Sequence, residues 1–79
     1  MRILDDKSDK KLDTVTLFLT QEEALQLRSD LDQLLAKPQL HHTHLSSENY
    51  QKEITVCVYD GEKLQGFHPR AIKLIKEDI

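Results

Sequence analysis

The chain has 79 residues, 38% hydrophobic and 32% charged, with 11 Lys and Arg against 14 Asp and Glu for a formal net charge of −3. That length suits one domain, residues 1–79, and not two. The charge is spread with no basic stripe for nucleic acid, and the single cysteine, Cys57, excludes an internal disulfide or a cysteine-rich zinc site.

No apolar run approaches the ~18 residues of a membrane span and no signal peptide is visible. A cytoplasmic protein that engages neither membrane nor nucleic acid is the expectation. The apolar residues are clustered and periodic, which argues for a folded chain rather than disorder. A core this small also leads one to expect a second copy or a partner over an apolar face.

In chain order, residues 2–5 read as a short edge strand and residues 6–11 as a mixed-charge turn, a solvated loop rather than a binding tail because its signs cancel. Residues 12–19 read as a half-buried strand. Val15, Leu17 and Leu19 point to one face, Thr14, Thr16 and Phe18 to the other. Phe18 is the apolar exception on the polar face, which suits packing on a terminal element or an interface.

Thr20-Gln21-Glu22-Glu23 matches a capping box, with acidic residues at the positive end of the helix dipole. The helix runs to about Lys37, and Pro38 stops it. Ala24, Leu27, Leu31, Leu34 and Leu35 form its apolar stripe, with Leu25 at the margin; this face is expected to pack on the Val15 side of the sheet. Two to three heptads is short for a coiled coil, so the leucines read as core.

Residues 40–46 then make a strand, Ser47-Glu48-Asn49 a turn, and residues 51–60 the return strand. Ile54, Val56 and Val58 point one way; Thr55, Cys57 and Tyr59 point the other. Asp60-Gly61 is a turn dipeptide, residues 62–67 are ambiguous with Gly66 as punctuation, and His68-Pro69 opens a last helix. Its stripe is Ala71, Ile72, Ile75 and Ile79 with Leu74 beside it, while Lys73 and Lys76 face water.

These elements give an α+β fold in the order β-β-α-β-β-α. It is expected to be a three- or four-stranded, mostly antiparallel sheet with two helices packed on one face. The other sheet face carries Phe18, Cys57 and Tyr59 and is the expected interface.

Three of the four histidines lie in residues 41–44. In a strand, His42 and His44 share a face and His41 takes the other. Two imidazoles at that spacing can ligate a divalent metal such as zinc, with His41, His68 and Glu48 as further candidate ligands and Glu53, Asp60 and Cys57 as other donor types, none of which the sequence by itself places nearby. The plainer account is a pair of partly exposed strand residues bonded to neighbours. Adjacent histidines also suit pH sensing.

His41-His42-Thr43 and His44-Leu45-Ser46 resemble the tripeptide that two-histidine phosphoesterases carry twice. Here the copies nearly overlap on one strand and cannot flank a phosphate from two sides, so that reading is set aside. Cys57 has no activating neighbour in the sequence and reads as a structural thiol. Ser46 and Ser47 lack a strand-turn-helix elbow, and the two glycines form no phosphate loop. A chain this short also leaves little room for a pocket of ~300 Å³. An enzyme is therefore not expected unless a dimer builds the site.

The leading expectation is a small, cofactor-free protein–protein interaction or regulatory domain acting as a homodimer through its second sheet face. The alternative is a metal-binding or metal-sensing protein centred on residues 41–44.

Overall fold

Two helices and four short strands account for the regular structure of this chain, whose residues 1–79 are all described in a computed structural model. In order they are β1 (Ile3–Asp5), β2 (Lys10–Leu12), α1 (Gln21–Ala36), a 3₁₀ turn (Pro38–Leu40), β3 (His42–Ser46), β4 (Glu53–Cys57) and α2 (Pro69–Glu77). The class is α+β. The strands form two antiparallel two-stranded sheets, β1–β2 and β3–β4, where one sheet of three or four strands was expected. The chain divides into two compact units, one built from Met1–Leu17 with Asp60–Ile79, the other from Phe18–Tyr59.

The first unit holds the β1–β2 hairpin and α2. Asp5 closes the hairpin loop by accepting from the Lys7 and Ser8 amides through Oδ1 at 3.0 and 3.4 Å. Hydrogen bonds from the Ser8 side chain and then the Lys7 amide hold its carboxyl below the ordinary 3.8. Asp9 adopts φ 58°, a left-handed value that Asp tolerates better than most residues, and its N–H returns to Asp5 O at 2.8 Å.

This loop fixes the register at Ile3↔Leu12, Leu4↔Lys11 and Asp5↔Lys10. The strand expected over residues 12–19 is therefore corrected to Lys10–Leu12. β1 begins at Ile3, so none of its residues stands opposite residues 15–19. That stretch belongs to no helix or strand, and Val15 is exposed.

α2 starts where Pro69 predicted. His68 caps it, its Nδ1 accepting from the Arg70 N–H at 3.1 Å. Leu74 is the buried residue of the helix, flanked by half-buried Ala71, Ile72 and Ile75; Lys73 and Lys76 face water, and Ile79 is exposed rather than part of the stripe. Gly66, just upstream, takes φ 89°, a conformation that L side chains rarely adopt.

Two arginines tie this unit together. Arg2 Nε donates to the Leu74 and Ile75 carbonyls at 3.1 and 3.3 Å, satisfying the open end of α2 with a cation where the dipole favours one. Arg70 donates to Asp9 Oδ1 at 2.9 Å, Asp9 O at 3.1 Å and Ile79 O at 2.7 Å. It thus joins the hairpin loop, α2 and the chain beyond it. Replacing Arg70 by Ala leaves these acceptors without their donor. The expected loss is about 2 kcal/mol in chemical denaturation, and Arg70→Lys should recover only part of it because an ammonium lacks the guanidinium fork.

The second unit packs α1 on β3. The capping box forms as the sequence indicates: the Glu23 N–H donates to Thr20 Oγ1 at 3.1 Å and the Thr20 N–H to Glu23 Oε1 at 2.9 Å. Below it, Leu27 and Leu31 are half-buried and Leu34 is 2% exposed. Ala24 and Leu35, expected in the stripe, are exposed, while Asp30 is half-buried and accepts from Gln26 Nε2 at 2.8 Å. The inward face of α1 is thus narrower and more polar than the leucine pattern suggests.

The β3–β4 hairpin pairs His42↔Cys57 through Ser46↔Glu53; β3 ends at Ser46 as expected but starts two residues later than residue 40, and β4 is shorter at both ends than residues 51–60. Leu40, expected to open the strand, instead ends the 3₁₀ segment Pro38–Leu40. The loop is closed by the Ser47 N–H to Lys52 O at 2.8 Å and the Lys52 N–H to Ser47 Oγ at 3.0 Å. Its Glu48 N–H donates to Glu23 Oε2 at 2.9 Å, so one carboxylate serves both the helix start and the hairpin loop.

These bonds to the Thr20 and Glu48 amides hold the Glu23 carboxyl below its ordinary 4.5. A depressed folded value stabilises the fold fully above 4.5 and is lost as pH falls through the lower folded value. In urea denaturation followed from neutral pH into the acid range, Glu23→Gln is expected to be less stable at neutral pH and to show a shallower acid decline. An unchanged acid decline would assign that slope to other carboxylates.

Candidate functional site

Alternation along the β3–β4 hairpin sorts its residues by face. Thr43, Leu45, Ile54 and Val56 are buried or half-buried, on the side that α1 covers. His42 and His44 of β3 face outward, opposite Cys57 and Thr55 of β4, with Ser46 opposite Glu53 completing the row. This outward face is polar and largely exposed, and it gathers imidazole, thiol, hydroxyl and carboxylate groups.

His44 is the best-held member. Its Nδ1 lies 2.8 Å from Thr55 Oγ1 and 3.3 Å from Glu53 Oε1. A carboxylate can only accept, whereas a hydroxyl can do either, so Nδ1–H satisfies both neighbours. That arrangement leaves Nε2 as the open nitrogen. The His42 ring meets the His44 ring edge-on, centroids 5.1 Å apart. The shared face expected for His42 and His44 is present, and Cys57 stands directly across from His42.

The other expected ligands have different settings. His41 does not take the opposite face of the strand. It precedes β3 at φ 64° and closes the 3₁₀ turn, its N–H donating to Pro38 O at 3.2 Å and its carbonyl accepting from the Val58 N–H at 3.0 Å. His68 has its Nδ1 lone pair engaged at the start of α2. Glu48 sits in the hairpin loop and contributes its backbone N–H to Glu23. Asp60 Oδ1 accepts from the Glu62 N–H at 3.0 Å.

No group of three or more His, Cys, Asp or Glu side chains is arranged to hold a metal ion. A structural zinc needs four ligands and a catalytic one three.

The apolar residues expected at an interface lie in three settings. Cys57 is on the outward row of β4 and exposed, Tyr59 lies two residues past the end of β4, and Phe18 is 92% exposed in the stretch before the capping box. Its neighbours Val15, Leu17 and Leu19 are 54, 48 and 38% exposed. Their alternation in the sequence predicts a buried strand face. The signal that could have flagged them is the short β1–β2 loop, which ends the ladder before they are reached.

No helix is long and apolar enough to cross a membrane. The fold defines a small α+β protein. Neither a family model, nor a curated protein, nor a solved structure matches it, so its role has to be argued from its own side chains.

With only two imidazoles converging, tag-free, chelator-treated protein titrated with zinc is expected to show weak binding without a defined single site. Tight one-to-one binding that disappears in His44→Ala would restore the metal-centre reading.

Proposed function

We propose that this chain is a non-catalytic interaction or regulatory domain, residues 1–79, that acts as a homodimer. The observation that carries this reading is the distribution of its apolar side chains. Four leucines (Leu34, Leu45, Leu64 and Leu74) are buried, while thirteen large hydrophobic residues are exposed, among them the near-contiguous group Val15, Leu17, Phe18 and Leu19. Single exposed apolar residues are ordinary, but a clustered group marks an association surface.

A second copy also suits the size of the chain. Small domains bury a smaller fraction of their surface than large ones, and association supplies what the core lacks. The outward row of β3–β4, with His42, His44, Glu53 and Cys57, is a separate polar face available for contacts of its own.

Sedimentation equilibrium over a range of concentrations tests the reading. The expected result is a reversible monomer–dimer equilibrium, weakened by about tenfold or more in Phe18→Ser. A chain that stays monomeric at every concentration, with the circular dichroism of a folded protein, overturns it.

A further inference from the structure

Residues 14–19, Thr-Val-Thr-Leu-Phe-Leu, are the most strand-like sequence in the chain and form no strand. They take part in no hydrogen bond within the chain. Their backbone donors and acceptors are left to water along a stretch where four of the six residues are apolar. The established strands differ: β1 and β2 are three residues long and carry Asp5, Lys10 and Lys11, the kind of edge that resists pairing.

The pattern is self-complementary. An antiparallel pair of two copies centred on Leu17 sets Leu17 opposite Leu17 of the second copy, Val15 opposite Leu19, and Thr16 opposite Phe18. All the odd-numbered apolar residues of both copies then share one face. A shift by one residue would place threonines against leucines. No charge lies between Asp13 and Glu22, and Asp13 would face Gln21, so no like charges meet.

The helix cap also selects the ladder. The Thr20 N–H is already committed to Glu23 Oε1. Hydrogen-bonded pairs at the odd residues, Val15 with Leu19 and Leu17 with itself, leave that bond intact; pairs at the even residues would compete with it.

We propose that residues 15–19 of two copies pair as an antiparallel strand across a two-fold axis at Leu17, making this stretch the homodimer interface. The proposal rests on the self-association reading above and specifies its contact. Five residues is an ordinary strand length, and an isologous contact of this kind closes on itself without forming fibres.

The test is symmetric cross-linking in a Cys57→Ser background. Opposed residues of a hydrogen-bonded pair have Cα atoms about 5.5 Å apart, within disulfide reach. Leu17→Cys is therefore expected to link to its own copy on mild oxidation. Thr14→Cys is not, because its copies lie about 20 Å apart along the ladder. Amide exchange on the unmodified chain gives a second readout: the amides of Val15, Leu17 and Leu19 should slow with rising concentration, while those of Thr16 and Phe18 stay fast.

A chain that sediments as a dimer while Leu17→Cys stays unlinked overturns the strand contact and leaves self-association standing. Thr14→Cys linking as readily as Leu17→Cys, or fast exchange at all five amides in the dimer, overturns it too. A monomer at every concentration removes both readings.

Discussion

Four buried leucines set the terms for the rest of this molecule. Leu34 and Leu45 belong to one unit, Leu64 and Leu74 to the other, and no polar or charged residue is buried with them. Apolar burial is the main favourable term in folding, and here little of it is available to each unit. Much of the remaining organisation is done by charged side chains that reach for backbone groups. Arg2 satisfies the end of α2, Arg70 joins α2 to the hairpin loop at Asp9, and Glu23 serves both Thr20 and Glu48. Helix ends and loops carry backbone groups with no partner of their own, so one side chain placed there can fix two segments at once.

The same economy connects the fold to its proposed role. The scarce core is drawn from α1 (Leu34), β3 (Leu45), α2 (Leu74) and the segment between β4 and α2 (Leu64). What is left over faces water, and it falls into two kinds. The outward row of β3–β4 is polar, with His44 held by Thr55 and Glu53. The stretch around Leu17 is apolar and without hydrogen bonds. In the proposed homodimer the second would supply the apolar burial that association needs, and the first would add polar contacts.

Local signals in the sequence were reliable where the chemistry is local. The capping box at Thr20 and Glu23, the stop at Pro38, the turn at Asp60 and the start of α2 at Pro69 each depend on residues within four positions of one another. The alternation of Ile54, Thr55, Val56 and Cys57 likewise fixed which side chains of β4 face α1 and, through the pairing, that His42 and His44 face away. The histidine pair was legible for this reason. Its lack of a third ligand was not, since that depends on residues distant in sequence.

By itself, then, the sequence determined the class of fold, the starts of both helices, the end of α1 and the in-and-out sorting of the β3–β4 hairpin, because hydrophobic period, caps and turn chemistry act over a few residues. Only the tertiary structure decided the fate of residues 14–19. Alternation there matches a buried strand, but a strand exists only if another stands beside it, and the Asp5–Lys10 closure ends β1–β2 pairing at Ile3↔Leu12. The same limit applies along α1, where the leucine spacing names a face but packing against β3 buries Leu34 and leaves Leu35 in water. A pattern gives a residue its direction; what it meets there is settled by the register and packing of distant segments.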